Sequence, residues 1–234
     1  MVLVNKEAHL SALNRLQMST DFAAARAELV EYLSHDINDR RVLEAIKCIP
    51  REKFVSSAYQ YAAYEDRPLP IDKGQTISQP LIVAIMSAAL ELDGSEKVLE
   101  VGTGSGYQAA ILAKLAWRVV TVERHQVLVD KAKQVLAKLG YTNIEIHLAE
   151  KTLGWPQQAP YESIIITAAA PQVSQVLIDQ LADGGRLVIP VGSRYEQDLL
   201  KAIKQGDKIT THNLGPCRFV PLIGNAAWGK EEDE

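Results

Sequence analysis

Three glycines alternate with small polar residues in Gly102-Thr103-Gly104-Ser105-Gly106, and carboxylates flank them at Glu100 and Glu123. The apolar run from Val98 to Val101 reads as a strand that breaks into a tight turn and then a helix N-terminus. Such a turn lets a ligand approach bare backbone. Glu123 lies roughly twenty residues downstream, where folds of this kind place an acid on a ribose diol. The spacing is not that of a dinucleotide site, because Tyr107 stands where that fingerprint wants a glycine or alanine. No Gly-Lys-Ser/Thr follows, so a Walker A phosphate loop is excluded too. Two carboxylates without a phosphate-binding lysine suit a nucleoside that carries a cation better than a pyrophosphate. S-adenosylmethionine, which joins a ribose to a sulfonium and an amino acid end, has that chemistry. A plain strand-to-helix turn is the alternative, and Glu123 together with the surrounding alternation of elements weighs against it.

No other constellation competes. The five histidines, His9, His35, His125, His147 and His212, form no pattern with a nucleophile and read as surface or packing residues. Cys48 and Cys217 lie in no metal-binding cluster and cannot build a disulfide framework, so no metal is expected and both read as reduced thiols.

The loop needs elements to hold it. From residue 80 onward helix and strand patterns alternate: helices over 80–92, 106–116, 125–140 and 173–182, strands over 97–102, 118–123, 144–149, 163–170 and 185–192. This predicts an α/β fold with a mostly parallel twisted sheet and helices on both faces, binding ligands beyond the carboxyl ends of its strands. Ahead of it, residues from about 20 to 49 repeat apolar groups at helical spacing and stop at Pro50. Ser56 to Gln79 is rich in Tyr, Pro, Asp and Gly, the composition of an ordered but irregular segment. The expected organisation is therefore an N-terminal helical and irregular section, 1–79, and a cofactor-binding core, 80–234.

Composition bounds the setting. With 234 residues, 47% hydrophobic, 23% charged and a net charge of -4, the chain reads as soluble and globular, with no general attraction to nucleic acid or to an anionic membrane. The start MVLVNKEAHLSALNRL lacks a signal-type apolar core, and no later run is long enough to span a bilayer, which predicts a cytoplasmic location. The tail EEDE is a solvated charge run, and no coiled-coil pattern reveals an oligomeric state.

PREKFV (50–55), AYEDRPLPI (63–71), GQTISQP (74–80), VLEVGTGSGYQAA (98–110), GGRLVIPVG (184–192) and CRFVPLIG (217–224) occur in the order found in the protein-L-isoaspartate O-methyltransferase family, which the chain resembles from Pro50 to Gly224. GQTISQP is the most diagnostic, since the glycine loop is shared by S-adenosylmethionine methyltransferases in general. The resemblance implies an S-adenosylmethionine-dependent methyltransferase (Rossmann-like) fold. It also implies methylation of the free carboxylate of L-isoaspartyl residues in damaged proteins or peptides, the first step of their repair.

The same resemblance makes Ser78 the active-site serine, its hydroxyl donating to one carboxylate oxygen and aiming the other at the methyl group. Read from its neighbours alone, Ser78 could equally cap the helix beginning at Pro80, and the two roles are compatible. Cofactor contacts are expected from Gln75, Thr76 and Ile77, from Glu100, Gly102, Thr103, Gly104, Ser105 and Gly106, and from Glu123 and Arg124. Glu150 and Lys151 complete the set near the adenine. Thr167 and Ala168, small residues at a strand end, are expected to leave room for substrate, unless the alanines only pack on a helix. Carboxylate attack on a sulfonium methyl is an in-line displacement that needs no general base, because an acid with a pKa of about 4 is already ionised at neutral pH. Positioning and exclusion of water are what remain for the protein to supply.

Departures from the family pattern leave other readings in play. Ala149-Glu150-Lys151 stands where the family commonly has Gly-Asp-Gly, and a lysine at a required glycine would disturb the turn. Glu162 replaces an Asp and is read as structural. A methyltransferase of another carboxylate or hydroxyl is one alternative, a noncatalytic homologue that binds damaged or partner proteins another. A dehydrogenase is disfavoured by Tyr107.

Overall fold

The computed structural model describes residues 21–224 and 227–229. Two helices come first, α1 (Phe22–Leu33) and α2 (Arg40–Cys48), begun by Asp21 and Asp39, whose side chains accept backbone N–H groups of the first turn. They bury Leu29, Leu33, Val42 and Ile46, the periodic positions of the sequence. The irregular stretch follows as short 3-10 turns, Arg51–Lys53, Ser57–Ala62 and Asp72–Gly74. The last of these is the tip of a small hairpin in which β1 (Leu69–Pro70) pairs antiparallel with β2 (Thr76–Ile77). That hairpin fixes the backbone leading into Ser78.

The core continues through α3 (Pro80–Ala89), β3 (Lys97–Val101), α4 (Tyr107–Leu115), β4 (Arg118–Glu123), α5 (Gln126–Lys138), β5 (Ile144–Leu148) and β6 (Tyr161–Ile166). It ends with α6 (Gln175–Gln180), β7 (Leu181–Gly192), β8 (Gln197–Gln205) and β9 (Lys208–Cys217). The sheet order is β5-β4-β3-β6-β7-β8-β9. Pairing is parallel from β5 through β7, and β8 and β9 add antiparallel at the edge. The chain winds outward from β3 to β5 and then returns to pair β6 on the other side of β3, which makes the β3/β6 junction the switch point of the sheet.

Alternation along the strands divides the core in two. Val98, Val119 and Ile165 face one cluster with residues of α1 to α5, while Leu99, Val101, Val120, Val122, Ile164 and Ile166 face a second cluster with Leu177 and Ile178 of α6. Helices thus cover both faces as expected, with most of them on one side.

Two segments differ from the sequence reading. The helix expected over 173–182 is shorter, and the chain turns to strand at Leu181. The sequence pattern assigns no element to residues 193–216, yet β8 and β9 form there. QDLLKAIKQ spaces its apolar residues as a helix would, which hides a strand. The two-residue link Gly206-Asp207 between paired Gln205 and Lys208 was the turn signal available in the sequence.

The start of α3 resolves the capping alternative. Its N-cap is Gln79, with no side-chain cap of its own, and Ser78 makes no hydrogen bond through its hydroxyl to the described residues. A distant residue takes the role. Asp66 Oδ1 accepts from the Leu81 N–H at 2.8 Å and Oδ2 accepts from Gln79 Nε2 at 2.8 Å. Asp66→Ala is therefore expected to lower stability by about 1 kcal/mol, the cost of a lost helix cap. Denaturant unfolding checks it, and an unmoved midpoint would show that water replaces the carboxylate without loss.

Candidate functional site

A cleft opens beyond the carboxyl ends of β3, β4 and β6. One wall is the segment Gln75, Thr76, Ile77 and Ser78; the floor is Gly102, Thr103, Gly104 and Ser105. Glu123 and Arg124 stand at the end of β4, Glu150 and Lys151 beyond β5, and Thr167 and Ala168 beyond β6. The strand order thus brings together residues spread from position 75 to position 168. Gly106 does not line the cleft: it caps α4, and a Cβ there would meet Ala132 and Leu136 of α5 at 3.3 and 3.2 Å.

The glycine turn has little freedom. Gly102 takes φ +105°, and a Cβ on it would lie 2.3 Å from Thr167 Oγ1. That hydroxyl donates to Gly102 O at 2.6 Å, so Thr167 clamps the turn as well as lining the cleft. The amides of the loop are largely consumed within the protein. Gly102 N and Thr103 N donate to Val122 O, Gly106 N to Thr103 O, and Gly104 N to Glu123 Oε2 at 3.0 Å. A pyrophosphate needs such amides free, so the geometry opposes it as the spacing does. Glu123 is 5% exposed and also accepts from His125 N at 2.9 Å. Two backbone amides hold its carboxylate rigid at the cleft, and a carboxylate has lone pairs left for hydroxyl donors.

Glu100 corrects the expectation of a second acid facing the ligand. It is 0% exposed and does not line the cleft. On β3 it shares with Val98 the face covered by α1 to α5, opposite Thr121 of β4. Thr121 Oγ1 donates to Glu100 Oε2 at 2.5 Å and lies 2.6 Å from Thr103 Oγ1, so Glu100 reaches the loop from beneath through two hydroxyls. Oε1 is buried without a partner. Burial pushes the carboxyl up to about 8 against the opposing bond from Thr121, and the charge of Glu123 adds to the rise. Burial therefore favours the protonated form of Glu100 near neutral pH.

Lys151 causes no strain. Among the described non-glycine residues only Lys73 and Glu91 have positive φ, so Lys151 needs no glycine-like backbone. Gly154 takes φ +82° instead, and a Cβ there would strike Gln180 Oε1 at 2.5 Å. Glu150 Oε2 accepts from Gln157 Nε2 at 2.9 Å at the rim. Glu162, as expected of a structural acid, accepts the Lys97 N–H at the start of β3.

The sequence did not assign the cleft residues Tyr107, Gln108, Leu153 and Gly154. Val220 to Gly224 line one side of the cleft. Ala169 N donates to Val220 O at 2.8 Å and Leu222 N to Ala169 O at 2.7 Å, tying the segment to the end of β6. Tyr107 had a signal, its bulk at a position that dinucleotide folds keep small. Its ring packs edge-on against Phe54 at 5.5 Å, which anchors the N-terminal section to the start of α4. Among the described residues no helix is long and apolar enough to cross a membrane.

Comparison with known proteins gives one consistent family. Residues 24–227 match the family described as protein-L-isoaspartate(D-aspartate) O-methyltransferase. The chain is 52% identical over 211 residues to protein-L-isoaspartate O-methyltransferase 1 of Syntrophobacter fumaroxidans, covering 89% of this chain and 98% of that one. A solved structure named protein-L-isoaspartate O-methyltransferase aligns with TM-score 0.78 and 28% identity over 86% of this chain and 67% of the other. A structure from Plasmodium falciparum assigned to the same activity, in complex with S-adenosyl-L-homocysteine, aligns with TM-score 0.72 at 24% identity over 83% and 96% of the two chains and shares the fold.

The state of Glu100 has a consequence for stability. Between its ordinary value of 4.5 and about 8 the folded protein holds a proton that the unfolded chain releases, so this group makes stability fall as pH rises through that window. Glu100→Gln cannot ionise. Its stability relative to the parent should climb across the window, by no more than about 1.4 kcal/mol per pH unit, and level off above it. Denaturant midpoints measured across that range check this, and parallel curves for the two proteins would show that Glu100 does not titrate there.

Proposed function

The chain belongs to the protein-L-isoaspartate(D-aspartate) O-methyltransferase family, and on that premise we propose that Ser78 and Glu123 divide the work of its cleft between substrate and cofactor. The activity is transfer of a methyl group from S-adenosylmethionine to the free carboxylate of L-isoaspartyl residues. The substrates in this reading are damaged proteins and peptides met in the cytoplasm. What carries the assignment of roles is a single juxtaposition: the GQTISQP wall, with a serine hydroxyl engaged by none of the described residues, shares one cleft with the buried carboxylate of Glu123.

The residues present fit the cofactor. A cradle without room for a Cβ at Gly102, loop amides already satisfied and a rigid acid at Glu123 suit a ribose and not a pyrophosphate. Glu123 would accept the ribose hydroxyls, with Thr103, Gly104 and Ser105 beneath and Arg124 beside them. Glu150 and Lys151 would border the adenine, and Gln75, Thr76 and Ile77 would cover the opposite side. When bound, S-adenosylmethionine supplies an electrophilic methyl on a sulfonium.

Ser78 donates a hydrogen bond to one oxygen of the substrate carboxylate and leaves the other free to attack. Thr167 and Ala168 bound the space it occupies. No residue has to remove a proton, since the substrate acid is ionised at neutral pH. Val220 to Gly224 narrow the cleft, which strengthens the electrostatic contacts inside it by limiting water.

Labelled methyl transfer to a peptide with one isoaspartyl residue, against the same peptide with normal aspartate, tests the activity. Transfer to the isoaspartyl peptide alone is expected, and equal transfer to both would overturn the repair reading. Ser78→Ala should lower kcat about ten- to a hundredfold, the worth of one hydrogen bond to a charged group, with little change in cofactor affinity. Glu123→Ala should instead weaken cofactor binding measured by titration. A reversed pattern in the two variants would exchange the roles.

A further inference from the structure

Arg51, in the 3-10 turn that follows α2, is 0% exposed. Its Nε donates to Ala63 O at 2.9 Å and its Nη2 to Ser78 O at 2.7 Å, while its guanidinium lies 4.7 Å from the centre of the Tyr107 ring. Among the described residues Nη1 is buried without a hydrogen-bond partner of good geometry, though the Tyr107 hydroxyl lies near enough to favour the charge. Among the described residues no carboxylate forms an ion pair with it. The acids of adjoining segments are engaged elsewhere: Glu52 accepts from the Tyr64 hydroxyl, and Asp66 from Leu81 N and Gln79. Two carbonyls and a ring face are partial compensation for a full charge removed from water.

Asp66 favours the Arg51 charge only through space, and a buried guanidinium without a direct ion pair is costly, whereas a residue serving only as a tie between two loops could be neutral. Its place explains the charge. Two of its partners, Ser78 and Tyr107, line the cleft, so the cation sits immediately behind the wall against which an anionic substrate group must rest. In a poorly solvated interior its field reaches that group with little screening.

We propose that Arg51 is a positioning residue for the substrate carboxylate, holding the Ser78 backbone in place and supplying, from behind the wall, the positive charge that makes the cleft select an anionic group over a neutral one. This rests on Ser78 being the serine that faces substrate. The cation touches neither substrate nor cofactor. It acts through Ser78 by fixing its carbonyl, and through space by its charge. A protein methylated at the carboxylate becomes neutral there, so the same charge would favour release of product over retention.

Competitive binding of an isoaspartyl peptide and its isoasparaginyl counterpart, in which the free carboxylate is an amide, reads this selectivity. The preference for the carboxylate should fall about tenfold in Arg51→Gln, while affinity for S-adenosylmethionine changes far less. Arg51→Lys keeps the charge but loses the planar fork, so it should retain most of the preference while kcat drops. An Arg51→Gln protein that binds both peptides more weakly by the same factor would overturn the proposal and leave Arg51 a structural tie. If that variant does not fold, Arg51→Lys decides: loss of the preference despite a retained cation overturns the proposal. Ser78→Ala run in parallel separates the two readings, since unchanged turnover there would remove the serine assignment itself.

Discussion

Thr167 Oγ1 occupies the place where a side chain on Gly102 would begin, and it bonds the carbonyl of that same glycine. This contact sets how closely the end of β3 lies against the end of β6, where the order of winding switches from one side of β3 to the other. A larger residue would push the turn outward and misplace Gly104, whose amide carries the carboxylate of Glu123. The cleft is therefore built on missing bulk. Parallel strands deliver the two chain segments side by side, and the absence of a Cβ lets their ends close to form a floor.

The N-terminal section depends on the same turn through Tyr107. In a dinucleotide fold that position packs helix on strand and must be small. Here the ring reaches the other way, to Phe54 and to the buried guanidinium of Arg51. The Arg51 side chain then holds Ser78, and the hairpin of β1 and β2 holds the residues just before it. Asp66 completes the frame by satisfying the Leu81 amide, the first N–H of α3, a task that would otherwise fall to a residue of the wall itself. With capping delegated to a distant acid, the Ser78 hydroxyl is not committed to the helix.

Much of this was legible in the sequence because it is encoded at fixed short spacings. The glycine turn, Glu123 and the alternation of elements follow from local pattern, and GQTISQP carries the wall. What escaped depends on partners far along the chain. That Glu100 belongs to a strand is legible, but helices bury both faces of β3, so which face it takes and that it points away from the cleft are tertiary facts. The capping role of Asp66 escaped for the same reason, since its partners lie about fifteen residues away and nothing near it marks a helix. For QDLLKAIKQ, apolar spacing suited a helix while pairing with β7 and β9 imposed a strand. The lysine at 151 looked disruptive only on the assumption that the turn needed a glycine at that point; the left-handed residue is Gly154.

The charges of the site follow one rule, that those withdrawn from water are either neutralised or placed where the reaction uses them. Glu100 gives up its charge, since no cation reaches it and Glu123 already stands nearby. Glu123 keeps an environment rich in donors, with two backbone amides fixed on its oxygens. Were both acids ionised, their repulsion would act directly under the loop that Thr103 links through Thr121 to Glu100 and that the Gly104 amide links to Glu123. A neutral Glu100 instead serves as an acceptor for Thr121, and the loop gains support without a second anion. The methyl transfer itself merges a cation and an anion into neutral groups, so a site that overpopulated either sign would bind one reactant too well to let the pair react. In the proposed reading, the rigid Glu123 on the cofactor side and the Ser78 hydroxyl backed by Arg51 on the carboxylate side would orient both reactants while leaving their mutual attraction to drive them together.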